Sequence, residues 1–365
     1  MMVTSLFSTA VLGRSLSSLN TTQLRIKPLS RIRNDLLGGL VSAALAIPLA
    51  MGYGMFAFAS LGESYFAAGA QAGIATAFVV ALICVLFGDK TTTVYAPRVT
   101  STFFLGLFIY GLAHSGMPVI AAGGIPVILA IAFSIVLLAG AFEALFGLLK
   151  LGTLIKFTPQ PVMAGFQNAA AALLFLVQLG NVCGFDRSVP FTQVPQYLGS
   201  IKPLSVAIAA ITFVVMWNAK KLLPRVPPIL VGMGAGCILY YLGELAGLGS
   251  HLGPIIASEP RAEIGVTALP YFAGLARVDN SIALLPTILG GALALAIIAS
   301  IDALLCAKLV AAPGEARSDG DQLLIRLGVG NVGAACIGGI TSGINIGPSI
   351  ANRAFGARKI GRAHV

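Results

Sequence analysis

The chain has 365 residues, of which 57% are hydrophobic and 10% charged, with a net charge of +10 and a mean hydropathy of +0.92. An average soluble domain carries about 25% charged residues. Such a composition excludes a soluble enzyme, a nucleic-acid-binding domain and a disordered chain, and it places the protein in a lipid bilayer.

The N-terminus up to Asn34 contains no acidic residue and is rich in Ser, Leu and Arg. It lacks the apolar stretch of a signal peptide and reads as a cytoplasmic arm lying against the headgroups. Apolar runs of about 20 residues, enough for a spanning helix, then follow at Leu36–Ala59, Phe66–Phe87, Ile125–Phe146, Pro161–Leu179, Pro203–Ala219, Pro228–Leu248 and Leu284–Ala311. A shorter run at Pro97–Ala113 and two Gly-interrupted ones, Leu323–Gly339 and Gly347 onward, bring the set to ten membrane elements. With a cytoplasmic N-terminus and one crossing per element, the inside segments hold Arg14, Arg25, Lys27, Arg31, Arg33, Lys90, Lys150, Lys156, Lys220, Lys221, Arg225, Lys308, Arg317, Arg326 and the basic C-terminal run. The outside segments hold Arg187, Lys202, Arg261 and Arg277. That asymmetry supports both the element count and its parity. The five cysteines, Cys84, Cys183, Cys237, Cys306 and Cys336, include no CxxC pair and read as packing residues. The last six residues, Ile360 to Val365, resemble a translated sequencing adapter and are expected to be a non-native tail on a truncated chain.

Two elements are not ordinary spans. The run Thr91-Thr92-Thr93-Val94-Tyr95-Ala96-Pro97-Arg98-Val99-Thr100 is polar and β-branched until it meets a proline, where an apolar helix begins. The run Thr341-Ser342-Gly343-Ile344-Asn345-Ile346-Gly347-Pro348-Ser349-Ile350 has the same grammar. Proline suits the first helical turn because its missing N–H has no partner there anyway. The two segments fall on opposite sides of the topology, which predicts an inverted repeat with two half-helices. Each half-helix N-terminus carries unpaired N–H groups and about half a positive charge. Two aimed at one spot form an anion site without a cofactor. The residues expected to build it are Pro97, Arg98, Val99 and Thr100 on one side and Gly347, Pro348, Ser349 and Ile350 on the other, with backbone N–H groups doing the holding.

Ionisable residues at membrane depth are costly and point to function. Arg98 contacts the anion, snorkels to the headgroups or pairs with Asp302. Asp302, deep in an apolar run, binds a coupling cation, carries a proton or balances Arg98. Glu143 lies nearer a membrane end, within reach of Lys150, and reads as structural. Gln167 and Asn168 line a pore or bond between helices. There is no HExxH, GxSxG or Walker loop. His114, His251 and His364 form no metal or catalytic cluster, so neither an enzyme nor a metal site is expected.

From about Arg33 to Arg358 the chain resembles the SulP sulfate permeases, the prokaryotic relatives of solute carrier family 26. The likeness rests on Asp35-Leu36-Leu37-Gly38-Gly39-Leu40, on Leu151-Gly152-Thr153-Leu154-Ile155-Lys156-Phe157-Thr158-Pro159-Gln160-Pro161-Val162-Met163-Ala164-Gly165-Phe166, on Ser300 to Leu305, and on Gly338-Gly339-Ile340. It implies an all-α fold of fourteen membrane elements in two inverted repeats of seven, followed by a cytoplasmic STAS domain. In that fold a core domain moves against a gate domain. Many members have Gly-Pro-Thr where this chain has Ala96-Pro97-Arg98, and some animal relatives place an arginine at the position of Ser349. Sodium-coupled bicarbonate members have Thr where this chain has Cys306, and a thiol is a poor ligand for a hard cation. The resemblance therefore implies proton rather than sodium coupling, through Asp302.

Residues 1–35 are then a cytoplasmic arm, 36–147 and 284–359 the two parts of the core, 148–248 the first part of the gate, 249–283 an extracytoplasmic loop and 360–365 the tail. The expected function is secondary transport of a small inorganic anion, sulfate first and bicarbonate next, by elevator-type alternating access. A nucleobase–proton symporter of the same fold and an anion channel or membrane scaffold are the alternatives. The expected partners are the anion, a proton, the lipids of a bacterial inner membrane and a second copy in a homodimer, with no nucleic acid.

Overall fold

The computed structural model describes residues 28–89, 91–153, 160–185, 191–224, 226–253, 268–276, 281–311 and 319–355. Residues 1–27 of the N-terminal arm, the stretch Leu154 to Pro159 and the C-terminal tail lie outside them. The helices are α1 (Pro28–Phe58), α2 (Phe66–Leu86), α3 (Val99–Ala113), α4 (Pro118–Leu148), α5 (Gln160–Val182), α6 (Pro203–Leu222), α7 (Pro228–Leu245), α8 (Leu269–Ala276), α9 (Leu285–Val310), α10 (Gly320–Cys336) and α11 (Ile346–Ala354). Proline stands in the opening turn of α4, α6, α7 and α9, where its fixed φ and missing N–H favour a helix start. Six helices among the described residues are long and apolar enough to cross a membrane.

Three features depart from the sequence reading. Helix α1 begins at Pro28, inside the segment read as the cytoplasmic arm. The segment 249–283, expected as loop, contains the short helix α8. It is pinned by the Ala268 N–H donating to the Cys336 carbonyl at 2.9 Å and by an edge-on contact of Tyr271 with Phe133. The α4 run also begins earlier than expected, because two helices join at a kink where Gly124 adopts φ 62° just ahead of Pro126. A side chain is strongly disfavoured in that left-handed conformation, so glycine permits the join.

The centre of the molecule is α4, packed against α9 and α10, with Leu129, Ile131, Phe133, Ile135, Leu295 and Leu305 fully enclosed. Apolar burial does not drive helices together inside lipid, so small residues and close backbone contact do. A Cβ on Gly140 would lie 2.7 Å from the Gly328 carbonyl oxygen, and one on Gly328 only 2.4 Å from the Ala144 nitrogen. The same device joins α1 to α2, where a Cβ on Gly54 would sit 1.9 Å from the Gly69 oxygen. By contrast α6 and α7 pack mainly on each other.

A two-stranded ladder completes the fold. Strand β1 (Tyr95–Pro97) runs antiparallel to β2 (Ser342–Ile344), with Tyr95 opposite Ile344, Ala96 opposite Gly343 and Pro97 opposite Ser342. All six strand residues are buried.

Candidate functional site

The ladder fixes how the two half-helices meet. Helix α3 starts just past Pro97, and α11 starts two residues past Ile344. Because the strands are antiparallel, the helices leave from opposite ends, about 10 Å apart for three residues at about 3.3 Å each. Both positive helix ends are therefore directed back at the same short ladder.

The first-turn amides divide unequally. In α3 the Thr102 N–H is taken by the Arg98 carbonyl at 2.9 Å, which leaves Val99, Thr100 and Ser101 without an intrahelical acceptor. In α11 the Ser349 N–H donates to the Asn345 carbonyl at 3.1 Å. Pro348 has no N–H, so the amides left at this end are those of Ile346 and Gly347. The expectation that Ser349 and Ile350 supply backbone donors is corrected accordingly: the helix begins earlier than Gly347, and both lie past its unpaired amides. Ile350 is moreover 44% exposed, whereas Pro348 and Ser349 are buried.

Arg98 is the N-cap residue of α3 and is 9% exposed. Its Nε donates to Asp302 Oδ2 at 2.8 Å and its Nη2 to Asp302 Oδ1 at 2.9 Å, a bidentate fork to α9. Asp302 is 1% exposed and also accepts from the Cys306 thiol at 3.6 Å. Arg98 is thus paired with Asp302, one of the three roles open to it. The fork uses two of the guanidinium's five N–H groups. The pair is neutral as a whole, so the positive potential at the ladder belongs to the helix ends.

Several site residues carry no strong sequence signal. Gly343 lies under the Arg98 side chain, and a Cβ there would meet Arg98 Cγ at 2.9 Å. Asn345, the N-cap of α11, donates from Nδ2 to the Pro97 carbonyl at 3.0 Å. Ser349 Oγ donates to the Asn345 carbonyl and accepts from the Val94 N–H at 2.9 Å, while Asn352 Nδ2 donates to the Thr92 carbonyl at 3.0 Å. Asn345, Ser349 and Asn352 share one face of α11 at helical spacing, and together they grip the backbone leading into the first half-helix. Thr76 of α2 receives the Ile340 N–H at 2.8 Å. Glu143 bonds to Asn331 rather than to Lys150, because helix rotation turns it inward to complete burial. Asn168 is exposed, and the side chain of Gln167 lies outside the described residues. Among the described residues no group of three or more His, Cys, Asp or Glu could hold a metal.

Two half-helices facing across an antiparallel ladder can be compared with known proteins. The model of the sulfate permease family matches residues 32–359. The chain belongs to this family. The relatives it matches bear the names of transporters and permeases rather than of enzymes. The chain is 28% identical to a bicarbonate transporter, BicA, of Picosynechococcus over 321 residues, covering 85% of this chain and 51% of that protein. It is 27% identical to the putative sulfate transporter YvdB of Bacillus subtilis over 323 residues, covering 86% and 54%. It thus spans about half the length of these relatives. The solved transmembrane domain of a cyanobacterial BicA superposes with a TM-score of 0.71 at 26% identity, over 90% of this chain and 78% of that one. Murine Slc26a9 superposes with a TM-score of 0.69 at 18% identity, over 98% and 58%, and shares the fold. The family fold is the expected all-α inverted repeat, and the protein is a multi-pass membrane protein.

Proposed function

We propose that this chain is a portion of the membrane domain of a secondary transporter for a small inorganic anion, with sulfate the first candidate and bicarbonate the second. The observation that carries this reading is the convergence of two helix N-termini on the β1–β2 ladder beside the buried Arg98–Asp302 pair. Unpaired amides at Val99, Thr100, Ser101, Ile346 and Gly347 offer donors to an oxyanion without placing a full net charge in the membrane. The relatives named as bicarbonate and sulfate transporters support the substrate class.

In this reading the coupling ion is a proton, and Asp302 is the residue that carries it. While Asp302 is ionised it holds the guanidinium in its fork. A proton delivered to Asp302 cancels the attraction and frees the Arg98 charge for the arriving anion, so the two charges enter together. In this reading residues 36–147 and 284–359 form the moving core and 148–248 part of the gate, and the motion is of the elevator type. The extensive burial of α4 and α9 against the sparse burial of α6 and α7 supports that division.

The test is labelled-sulfate uptake into proteoliposomes with an imposed pH gradient and excess bicarbonate or uracil as competitor. Saturable, proton-driven uptake blocked by bicarbonate and not by uracil is expected, and Asp302→Asn should uncouple it from the gradient. Uracil binding without sulfate uptake would sink the anion reading.

A further inference from the structure

Behind the second strand lies a buried carboxyl that the transport reading does not use. Glu143, in the interior of α4, is 0% exposed, and its Oε2 accepts from Asn331 Nδ2 at 2.6 Å. Its Oε1 has no hydrogen-bond partner, and no ion pair to it is formed among the described residues. A carboxyl so placed is expensive at membrane depth, and any apolar side chain would fill the space, so packing alone does not account for it.

Asn331 is also 0% exposed, and its amide is fully engaged. Its Oδ1 accepts from the Ser342 N–H at 2.8 Å, and its Nδ2 reaches the Ser342 carbonyl at 3.4 Å. The Ser342 N–H can only donate, so Oδ1 must face it and Nδ2 must face Glu143. Ser342 stands opposite Pro97, which has no N–H to offer the ladder. The Asn331 amide thus does for β2 what a neighbouring strand would do. The backbone contact between Gly140 and Gly328 holds α4 and α10 at a fixed separation right beside this pair.

We infer that Glu143 is a positioning residue: by orienting Asn331 it holds β2 in register and so sets the affinity of the anion site at the start of α11. The inference rests on the anion-site reading for its last step, and the test separates the two. Glu143→Gln keeps an oxygen facing the Asn331 amide, and binds sulfate like the parent. Asn331→Asp replaces the donor by an acceptor beside a carboxyl, and weakens sulfate binding at least tenfold. Adding Glu143→Gln to Asn331→Asp reverses the direction of the bond, with the Gln amide donating, and restores binding to within about threefold of the parent.

Calorimetric titration of sulfate into the full chain in nanodiscs reads the affinities. Amide hydrogen exchange over residues 341–345 reads β2 directly, without any anion, and should rise in Asn331→Asp and fall back in the double variant. A double variant no better than Asn331→Asp in exchange overturns the inference, whatever the sulfate result. Restored exchange with a parent chain that binds no sulfate leaves the positioning intact and counts against the anion site instead.

Discussion

The two half-helices share a sequence grammar, yet they are anchored by different physics. The first is tied to the bundle by charge, through the Arg98–Asp302 fork. The second meets the ladder through neutral hydrogen bonds from Asn345, Ser349 and Asn352 to the 92–97 segment, with Asn331 and Thr76 behind it. Only at its last turn does a charged group, Arg353, donate to the Val310 carbonyl. The pseudo-symmetry of the fold therefore hides an asymmetry in how its two halves are held. One arm is held by a buried charge pair, and the other meets the ladder through neutral side-chain hydrogen bonds.

The comparison is broken most severely at Arg98. Arg98→Met leaves Asp302 buried without its partner, and the expected cost is about 3–5 kcal/mol, read as a large drop in the thermal midpoint of purified protein. The double variant Arg98→Met/Asp302→Leu should regain most of that stability while losing anion uptake, because an apolar pair replaces a buried ion pair with little penalty. Recovery of uptake along with stability would mean that the charges are only structural.

A smaller effect is expected from Ser349→Ala. It leaves the part-buried Val94 N–H without its acceptor, at about 1 kcal/mol, and it should destabilise the protein without altering the pH dependence of uptake. A shift in that dependence would show that the second half-helix takes part in coupling. Gly343→Ala pushes a methyl against Arg98 Cγ. The expected cost is about 1–2 kcal/mol of overpacking, with reduced anion affinity because the fork is displaced. The mildest change is Asn352→Ala, part-buried at the far end of the stripe, at about 0.5–1.5 kcal/mol by thermal denaturation and with unaltered affinity.

Pro97 and Pro348 make both half-helices legible from sequence, since a proline after a polar, β-branched or Gly-rich run allows few other outcomes in lipid. Asp302 and Arg98 are legible as candidates because charge is so rare in the surrounding runs. Their pairing is not, since it depends on how α9 rotates against the start of α3. Glu143 shows the same limit more sharply. One helix face offers Lys150 in sequence and another offers Asn331 in space, and the choice is made by the contact of Gly140 with Gly328, which has no local signature. The short helix α8 escapes notice because its eight residues are held by contacts to Phe133 and Cys336 rather than by its own periodicity.

The hydrogen bonds from α11 to the 92–97 segment also impose an order in time. Val94 and Ser349 are 255 residues apart in the chain, and synthesis proceeds at about 5–20 residues per second. The run into the first half-helix is thus made on the order of ten to fifty seconds before the groups that satisfy its backbone exist. In that interval its N–H and C=O groups have neither a strand partner nor the amides of α11, and hydrocarbon offers them none. The run into the first half-helix must wait, at the membrane surface or in the insertion machinery, until α11 arrives to complete its hydrogen bonds.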